Sequence, residues 1–513
     1  MARYKPYSYE QGQMIPIQFD KQILPESFEY AINYIVDHVL DTKAFEQRIK
    51  NDETGAPAYD PKILLKIIFY AYARGIIHSR EIASNCEENV MFMALSANTR
   101  PHFTTIANFI TTMSDGIEPM FMKLLMWCDE LGLIGKEMFA IDGCKISSNA
   151  SKEWSGTKED FKNKAEKYQT LVSRLIKKHQ EEDARGEIPE HREKEKRAIE
   201  KMEEKIKKIT QWNETHEDKL GKQGQAKKSH MVDNDSGKMP SSHGVLQGYN
   251  AIAAVDKKTQ VIVVAKAYGD QGEQEAFKPM VEEIENNFKK MGEENIFKEA
   301  KLTVDSGFHS EANVKMLDEK NIDGYVPDHG FRKRDPRFDS AVRHKNPIDK
   351  GNEKGRKYYG PDDFKLDEQS GKLMCPWGKM LYVKNRNFKT PQGLYGTAYM
   401  AKVTDCRVCP LRKQCLVNPN TKARQVYKFE GWDETMRVKK TFSEKMREKM
   451  DQPLSRFLYS MRMGIVEPVF ANIRHMMGLD RFTLRGKIKV DAQWKLYAMV
   501  HNMGKVYRYQ GAG

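Results

Sequence analysis

Cysteine is scarce: 7 in 513 residues, too few to staple a chain of this length, so a disulfide scaffold is excluded. Long apolar runs are also missing. No stretch approaches the roughly 20 apolar residues that span a bilayer, which excludes a helical membrane protein and a membrane partner. The first residues, MARYKPYSYEQGQMIPIQF, lack the apolar core of a secretory signal, and a reducing cytoplasm is the expected location. What the chain has in excess is positive charge. Lys and Arg total 85 against 72 Asp and Glu, a net of +13, which suits a polyanion such as nucleic acid or serves solubility.

At 513 residues the chain is too long for one core, and two to four domains are expected. Residues 57–127 carry helical patterning. In YDPKILLKIIFYAYARGI, Asp60 stands as N-cap, Pro61 at the first helical position and Gly75 at the stop. Shorter helical segments follow, and residues 103–113 are a candidate reading helix of a helix-turn-helix, the alternative being an ordinary helical bundle. Residues 158–212 place Phe161, Ala165, Tyr168, Val172 and Leu175, then Ile199, Met202, Ile206 and Ile209, at heptad-like steps. This predicts an antiparallel helical hairpin broken at Gly186 and Pro189. The tract 213–243 reads as a flexible return.

Strand patterns occupy 244–256 and 259–269, read as antiparallel neighbours, with a helix at 273–289 leading into another strand that ends at Asp305. A further helix near 310–320 leads to IDGYVP, a short strand. Residues 328–370 read as an irregular insertion, and the chain is mostly helical from about 435.

Within this pattern two apolar runs stop on a carboxylate. MFAIDGCKISSNAS (138–151) stops at Asp142 and KLTVDSGF (301–308) at Asp305, each followed closely by glycine. One such case reads as a turn. Two at strand ends suggest converging carboxylates, which repel unless a cation lies between them. Oxygen donors favour Mg²⁺ or Mn²⁺. A third acid is needed for two ions, and Glu467 in YSMRMGIVEPVFANIR, bracketed by Tyr459, Arg462 and Arg474, is the best candidate, with Asp480 and Glu448 as alternatives in less distinctive settings. Such a set supports in-line phosphoryl transfer. Ser306 with His309 is a poor hydrolase pair because no nucleophile elbow surrounds it.

FAIDGCKISSNAS, GYNAIAAVD, LTVDSGFHSEANVKML, VEPVFANIRHMMGLDRFTLRG and YAMVHNM, in this order, resemble bacterial insertion-sequence transposases with a ribonuclease-H-like DDE core, in the eleven-eighty-two group. The amino-terminal helical segment resembles the domain that opens such transposases. The resemblance implies a catalytic triad of Asp142, Asp305 and Glu467 binding two Mg²⁺ (or Mn²⁺) ions. It implies DNA contacts from Tyr459, Arg462 and Arg474, with Arg481 and Arg485 beside them. It also implies terminal inverted repeats and target DNA as partners, a homodimer on DNA, and a cytoplasmic, nucleoid-associated place in a bacterium. The sequence departs from the common accessory pattern: four residues separate Arg462 from Glu467, and Arg474 stands where a lysine is usual.

Cys375, Cys406, Cys409 and Cys415 have the spacing of a structural Cys₄ zinc site. Trp154 and Trp212 are packing residues or platforms for an unpaired base. The basic stretches 331–338 and 343–357 are candidate phosphate contacts.

The expected fold class is α/β: a ribonuclease-H-like mixed sheet flanked by helices, interrupted by a helical hairpin and a zinc-containing insertion, after an all-helical amino-terminal domain. The expected segments are 1–130 helical and DNA-binding, 131–157 first core part, 158–243 hairpin and linker, 244–327 second core part, 328–434 insertion with the Cys₄ module, and 435–513 carrying Glu467. The expected function is a DNA transposase that cleaves element ends and joins the 3′-hydroxyl to target DNA. The rivals are a nuclease that cannot join and a catalytically silent regulatory protein.

Overall fold

The computed structural model describes residues 16–47, 57–186, 191–221, 224–241, 244–269, 272–335, 337, 358–367, 370–389, 395–418, 420–429 and 441–510. They fall into two compact units, the first containing 1–308, 316–326 and 457–513 and the second 309–315 and 327–456.

The first unit opens with helices α1 (Phe19–Gln22), α2 (Phe28–Tyr34), α3 (Lys43–Glu46), α4 (Pro61–Ala73), α5 (Ser79–Glu88), α6 (Val90–Leu95), α7 (Phe103–Thr112) and α8 (Ser114–Glu130). The Asp60 carboxylate accepts from the Lys62 N–H at 2.7 Å and Pro61 opens α4, as its sequence requires. The buried side of α4 includes Leu65, Ile68, Phe69 and Tyr72.

Strand β1 (Met138–Ser147) follows, then the two-residue β2 (Ser155–Gly156) and the hairpin α9 (Lys158–Ala184) and α10 (Arg192–Thr215). Thr157 and Asp160 close a capping box at the start of α9. Lys178 pairs with Glu195 at 2.7 Å while the Lys158 carbonyl takes Asn213 at 3.4 Å, so the helices run antiparallel. Phe161, Ala165, Ile209 and Trp212 form the buried end of their seam.

The expected flexible return is instead short strands: β3 (Lys219–Leu220), β4 (Ala226–Lys227), β5 (Ser229–His230) and β6 (Gly237–Ser241). β6 alternates buried and exposed positions along the edge of the next strand. Its Gly- and Ser-rich composition masks this, because an edge strand is held by backbone hydrogen bonds rather than by apolar side chains.

The main sheet is completed by β7 (Gly244–Asp256), β8 (Ile262–Tyr268), β9 (Lys301–Val304) and β10 (Gly324–Tyr325), with α11 (Glu273–Lys290) between β8 and β9 and α12 (Glu311–Glu319) before β10. The order is β10, β9, β1, β7, with β8 and β6 both on β7. β9 and β10 are parallel to their neighbours, whereas β7 runs antiparallel to β1. Phe139 of β1 meets Phe288 of α11 with ring centroids 5.3 Å apart, so α11 covers one face. The other face is covered by α17 (Lys487–Gln510), whose Trp494 Nε1 donates to the Ile252 carbonyl at 3.0 Å. The same helix stacks Tyr497 on Tyr72 of α4 at 4.6 Å and pairs Lys495 with Glu118 of α8 at 3.0 Å. The amino-terminal helices and the sheet thus share one core through α17.

The second unit contains an antiparallel sheet in simple sequence order: β11 (Lys365–Asp367), β12 (Lys372–Met374), β13 (Met380–Lys389), β14 (Tyr395–Met400) and β15 (Gln425–Phe429). Helices α13 (Val403–Val408) and α14 (Arg412–Cys415) interrupt it between β14 and β15. Phe364, Leu373, Leu381, Tyr399 and Val426 form its core. The insertion is therefore an ordered sheet where it is described, which its basic, turn-rich sequence conceals. Helix α15 (Phe442–Asp451) belongs to this unit, and α16 (Pro453–Ala471) passes from it into the first.

Candidate active site

β1 and β9 are parallel neighbours with Ile141 opposite Val304, which sets Asp142 and Asp305 at the same level. β1 continues to Ser147 while β9 ends at Val304. Asp142 thus lies within β1 rather than at its end, and among the described residues no strand flanks β1 on that side from Asp142 until Ser147 bridges Arg481; the two acids stand at that opening.

Asp142 is largely buried, and its Oδ2 takes Arg462 Nη1 of α16 at 2.6 Å while its Oδ1 accepts from the Gly143 N–H at 2.8 Å. Burial pushes its carboxyl above the ordinary value; Arg462 and the Gly143 N–H oppose this, and the negative charge of Asp305 adds to it. Arg462 is itself only 6% exposed and packs against the Tyr459 ring at 5.7 Å. Asp305 accepts from the Ser306 N–H at 2.6 Å.

A third acid, which sequence reasoning missed, lies beside them. Glu273 opens α11, and its carboxyl is raised first by burial and then, against the pull of Lys145, by the charges of Asp305 and Asp142. A Cβ placed on Gly307 would lie 1.8 Å from Glu273 Oε2, and one on Gly143 would lie 2.5 Å from Asn250 Oδ1. The glycines that follow the two aspartates are there for Glu273 and Asn250. No local pattern marks Glu273, because an acid in a first helical turn reads as a complement to the helix dipole.

Glu467 occupies the exposed side of α16 with Met463, Gly464 and Pro468, whereas Arg462, Ile465, Val466 and Val469 face inward. Among the described residues its side chain makes no hydrogen bond or ion pair with either aspartate. Arg474 lies 3.9 Å from Asp480 and acts on the Cys144 thiol, which burial raises and Arg474 lowers.

Beyond Asp142, β1 borders a cleft of about 680 Å³ lined by Ser148, Ser151, Lys152, Arg481 and Arg485. Arg485 is fixed there through Nε to the Asn149 carbonyl at 2.7 Å. Trp154 shares this cleft and a neighbouring one of about 440 Å³ with Lys208 and His216. Trp212 is 6% exposed, set edge-on to Phe161, and is a packing residue.

In the second unit, the Lys379 N–H donates to Cys375 Sγ at 3.3 Å. The Cys409 and Cys415 thiols are raised by burial and by the other cysteines of the group. Among the described residues, the set of three metal-type ligand atoms within 4.8 Å of one another is His179, Glu182 and Glu195 of the hairpin. Neither the cysteines nor the site acids close to that degree. In the 331–338 stretch Arg334 binds Asp328 at 2.6 Å and Asp451 at 2.7 Å, and Arg337 binds Asp335 at 2.7 Å. The stretch 343–357 lies outside the described residues.

Comparison with protein families gives two matches: residues 17–112 with the model described as Transposase domain (DUF772), and residues 374–507 with that described as Transposase DDE domain. The chain matches transposases at both ends. No curated protein matches it. The transposase DDE match includes Arg462, Glu467 and the four cysteines and begins after Asp142 and Asp305, so those two aspartates rest on their placement in the sheet. No described helix is long and apolar enough to cross a membrane.

Proposed function

We propose that the chain is a DNA transposase of the DDE type, with Asp142, Asp305 and Glu467 as its catalytic acids. The observation that carries this reading is the pair of carboxylates set level on adjacent parallel strands, where β9 ends and β1 runs on alone on that flank, in a chain matched at both ends by transposase models. The donor set fits a hard divalent cation: oxygen acids, two of them half-buried side by side with few donors of their own. Two Mg²⁺ or Mn²⁺ ions held there would activate a water or a 3′-hydroxyl and stabilise the leaving oxygen. Arg462 orients the Asp142 carboxylate and offsets the mutual repulsion of the acids. Arg481, Arg485 and Lys152 line the continuing cleft and supply cationic donors for DNA phosphates. Terminal inverted repeats and target DNA are the substrates, and a homodimer holds both ends.

Labelled duplexes carrying the element's own ends, with Mg²⁺ and a target plasmid, test the reading. Cleavage and joining by the wild type, both lost in Glu467→Gln, are the expected outcome. Cleavage without joining identifies a nuclease; binding without cleavage in Mg²⁺ and Mn²⁺ identifies a regulatory protein.

We also propose a structural Zn²⁺ on Cys375, Cys406, Cys409 and Cys415. The hydrogen bond from Lys379 to Cys375 Sγ and the clustering felt by Cys409 and Cys415 support it. Four thiolates would leave no open position. One zinc per purified chain by elemental analysis, lost in Cys409→Ser, is expected.

A further inference from the structure

We propose that Glu273 is a metal-binding carboxylate of the Asp142–Asp305 site, with Asn250 as its positioning residue. This rests on the reading of that site as a divalent-cation centre. Asp142 approaches the opening beside β1 from the α16 side, as its bond to Arg462 shows. Glu273 approaches from the α11 side, with Oε2 over Gly307, two residues past Asp305. The acids therefore surround the opening from the two faces and from the end of β9.

Asn250 supplies an independent sign of a ligand. It is 3% exposed, its Nδ2 lies 3.5 Å from Glu273 Oε1, and its Oδ1 sits over Gly143 with no hydrogen-bond partner. A buried acceptor without a donor costs stability, and a hydrated cation between the acids brings such donors. Glycine at 143 and 307 leaves the space that Asn250 and Glu273 occupy. Glu467 is a separate residue on α16, and Glu273 adds to it rather than replacing it.

The test is Mn²⁺ binding by the full chain, followed by calorimetry and by the Mn²⁺-induced rise in Tm, in wild type, Glu273→Gln, Asn250→Ala, Asp142→Asn, Asp305→Asn and the control Glu282→Gln. Glu273→Gln is expected to weaken Mn²⁺ at least about tenfold, and Asn250→Ala by roughly the same order, as for residues that orient metal ligands. Glu282→Gln should bind as wild type. Without Mn²⁺, Glu273→Gln should match or exceed the wild-type Tm, because one of three neighbouring acids is neutralised. If Asp142→Asn and Asp305→Asn lose Mn²⁺ while Glu273→Gln keeps wild-type affinity, the role of Glu273 is overturned and the cation centre stands. If the two aspartate variants also keep it, the cation centre itself falls.

Discussion

Two strands of the main sheet end on or beside an aspartate and a third, β1, carries one within it, and the two ends of the sheet treat theirs in opposite ways. At the closed end Asp256 is fully buried and accepts three backbone N–H groups, from Gly135 and Lys136 at 3.0 Å and from Lys258 at 2.8 Å. Nearby, His501 of α17 holds the Gln260 carbonyl at 3.0 Å, and Asn502 bonds both the N–H and the C=O of Ile262, at 2.8 and 2.9 Å. At the open end Asp142 and Asp305 each take one N–H from the following residue, and their neighbours are acids and a single arginine. A carboxylate whose acceptors are filled by backbone is a structural brace. One left beside like charge stores repulsion that a cation can relieve.

The contrast breaks most visibly in activity. Asp142→Asn or Asp305→Asn is expected to reduce cleavage and joining on the order of 10³-fold or more, with a Tm at or above wild type for Asp305→Asn and a lower one for Asp142→Asn, which leaves the buried Arg462 without its carboxylate. Asp256→Asn should do the reverse. It puts an amide where three N–H groups converge, and a loss of about 2 kcal/mol of stability by denaturant titration is expected, with cleavage per folded molecule unchanged. Wild-type activity in Asp142→Asn would remove the distinction between the two ends.

The closed end also makes a pH prediction that the open end does not share. Burial holds His501 neutral, pushing it down to about 3 from an ordinary 6.5. The unfolded chain takes up a proton there first, so this contribution is full above pH 6.5 and is lost as pH falls toward 3. The slope approaches about 1.4 kcal/mol per pH unit. Denaturant titrations between pH 7 and 5 should show this loss in wild type and its absence in His501→Gln.

The smallest effect on stability belongs to Gly307→Ala. The added methyl meets the end of the flexible Glu273 side chain, so a cost under about 1 kcal/mol is expected. Mn²⁺ affinity should nevertheless fall, because the carboxylate must move. A large loss of Tm would show that Gly307 serves packing instead.

Much of this was legible along the chain. Asp60 and Pro61 announce α4, and the four-and-three spacing of Phe161, Ala165 and Val172 announces the hairpin. Apolar runs ending at Asp142 and Asp305 announce two of the site acids. The strands β6 and β11 to β15 were not legible, because edge and meander strands rich in Lys, Gly and Asn depend on backbone pairing more than on apolar alternation. Glu273 and Asn250 were not legible either.

Sequence by itself therefore determined the periodic elements, the caps and the apolar runs that stop on a carboxylate, because these depend on residues a few positions apart, though β1 runs on past Asp142 to Ser147. Only the tertiary structure decided which carboxylates share a space. It set Ile141 opposite Val304, brought Arg462 across 320 positions to Asp142, and placed Glu273 over Gly307. Charge coupling acts over a few ångströms of space, and those ångströms are set by strand register and helix packing rather than by neighbours in the chain.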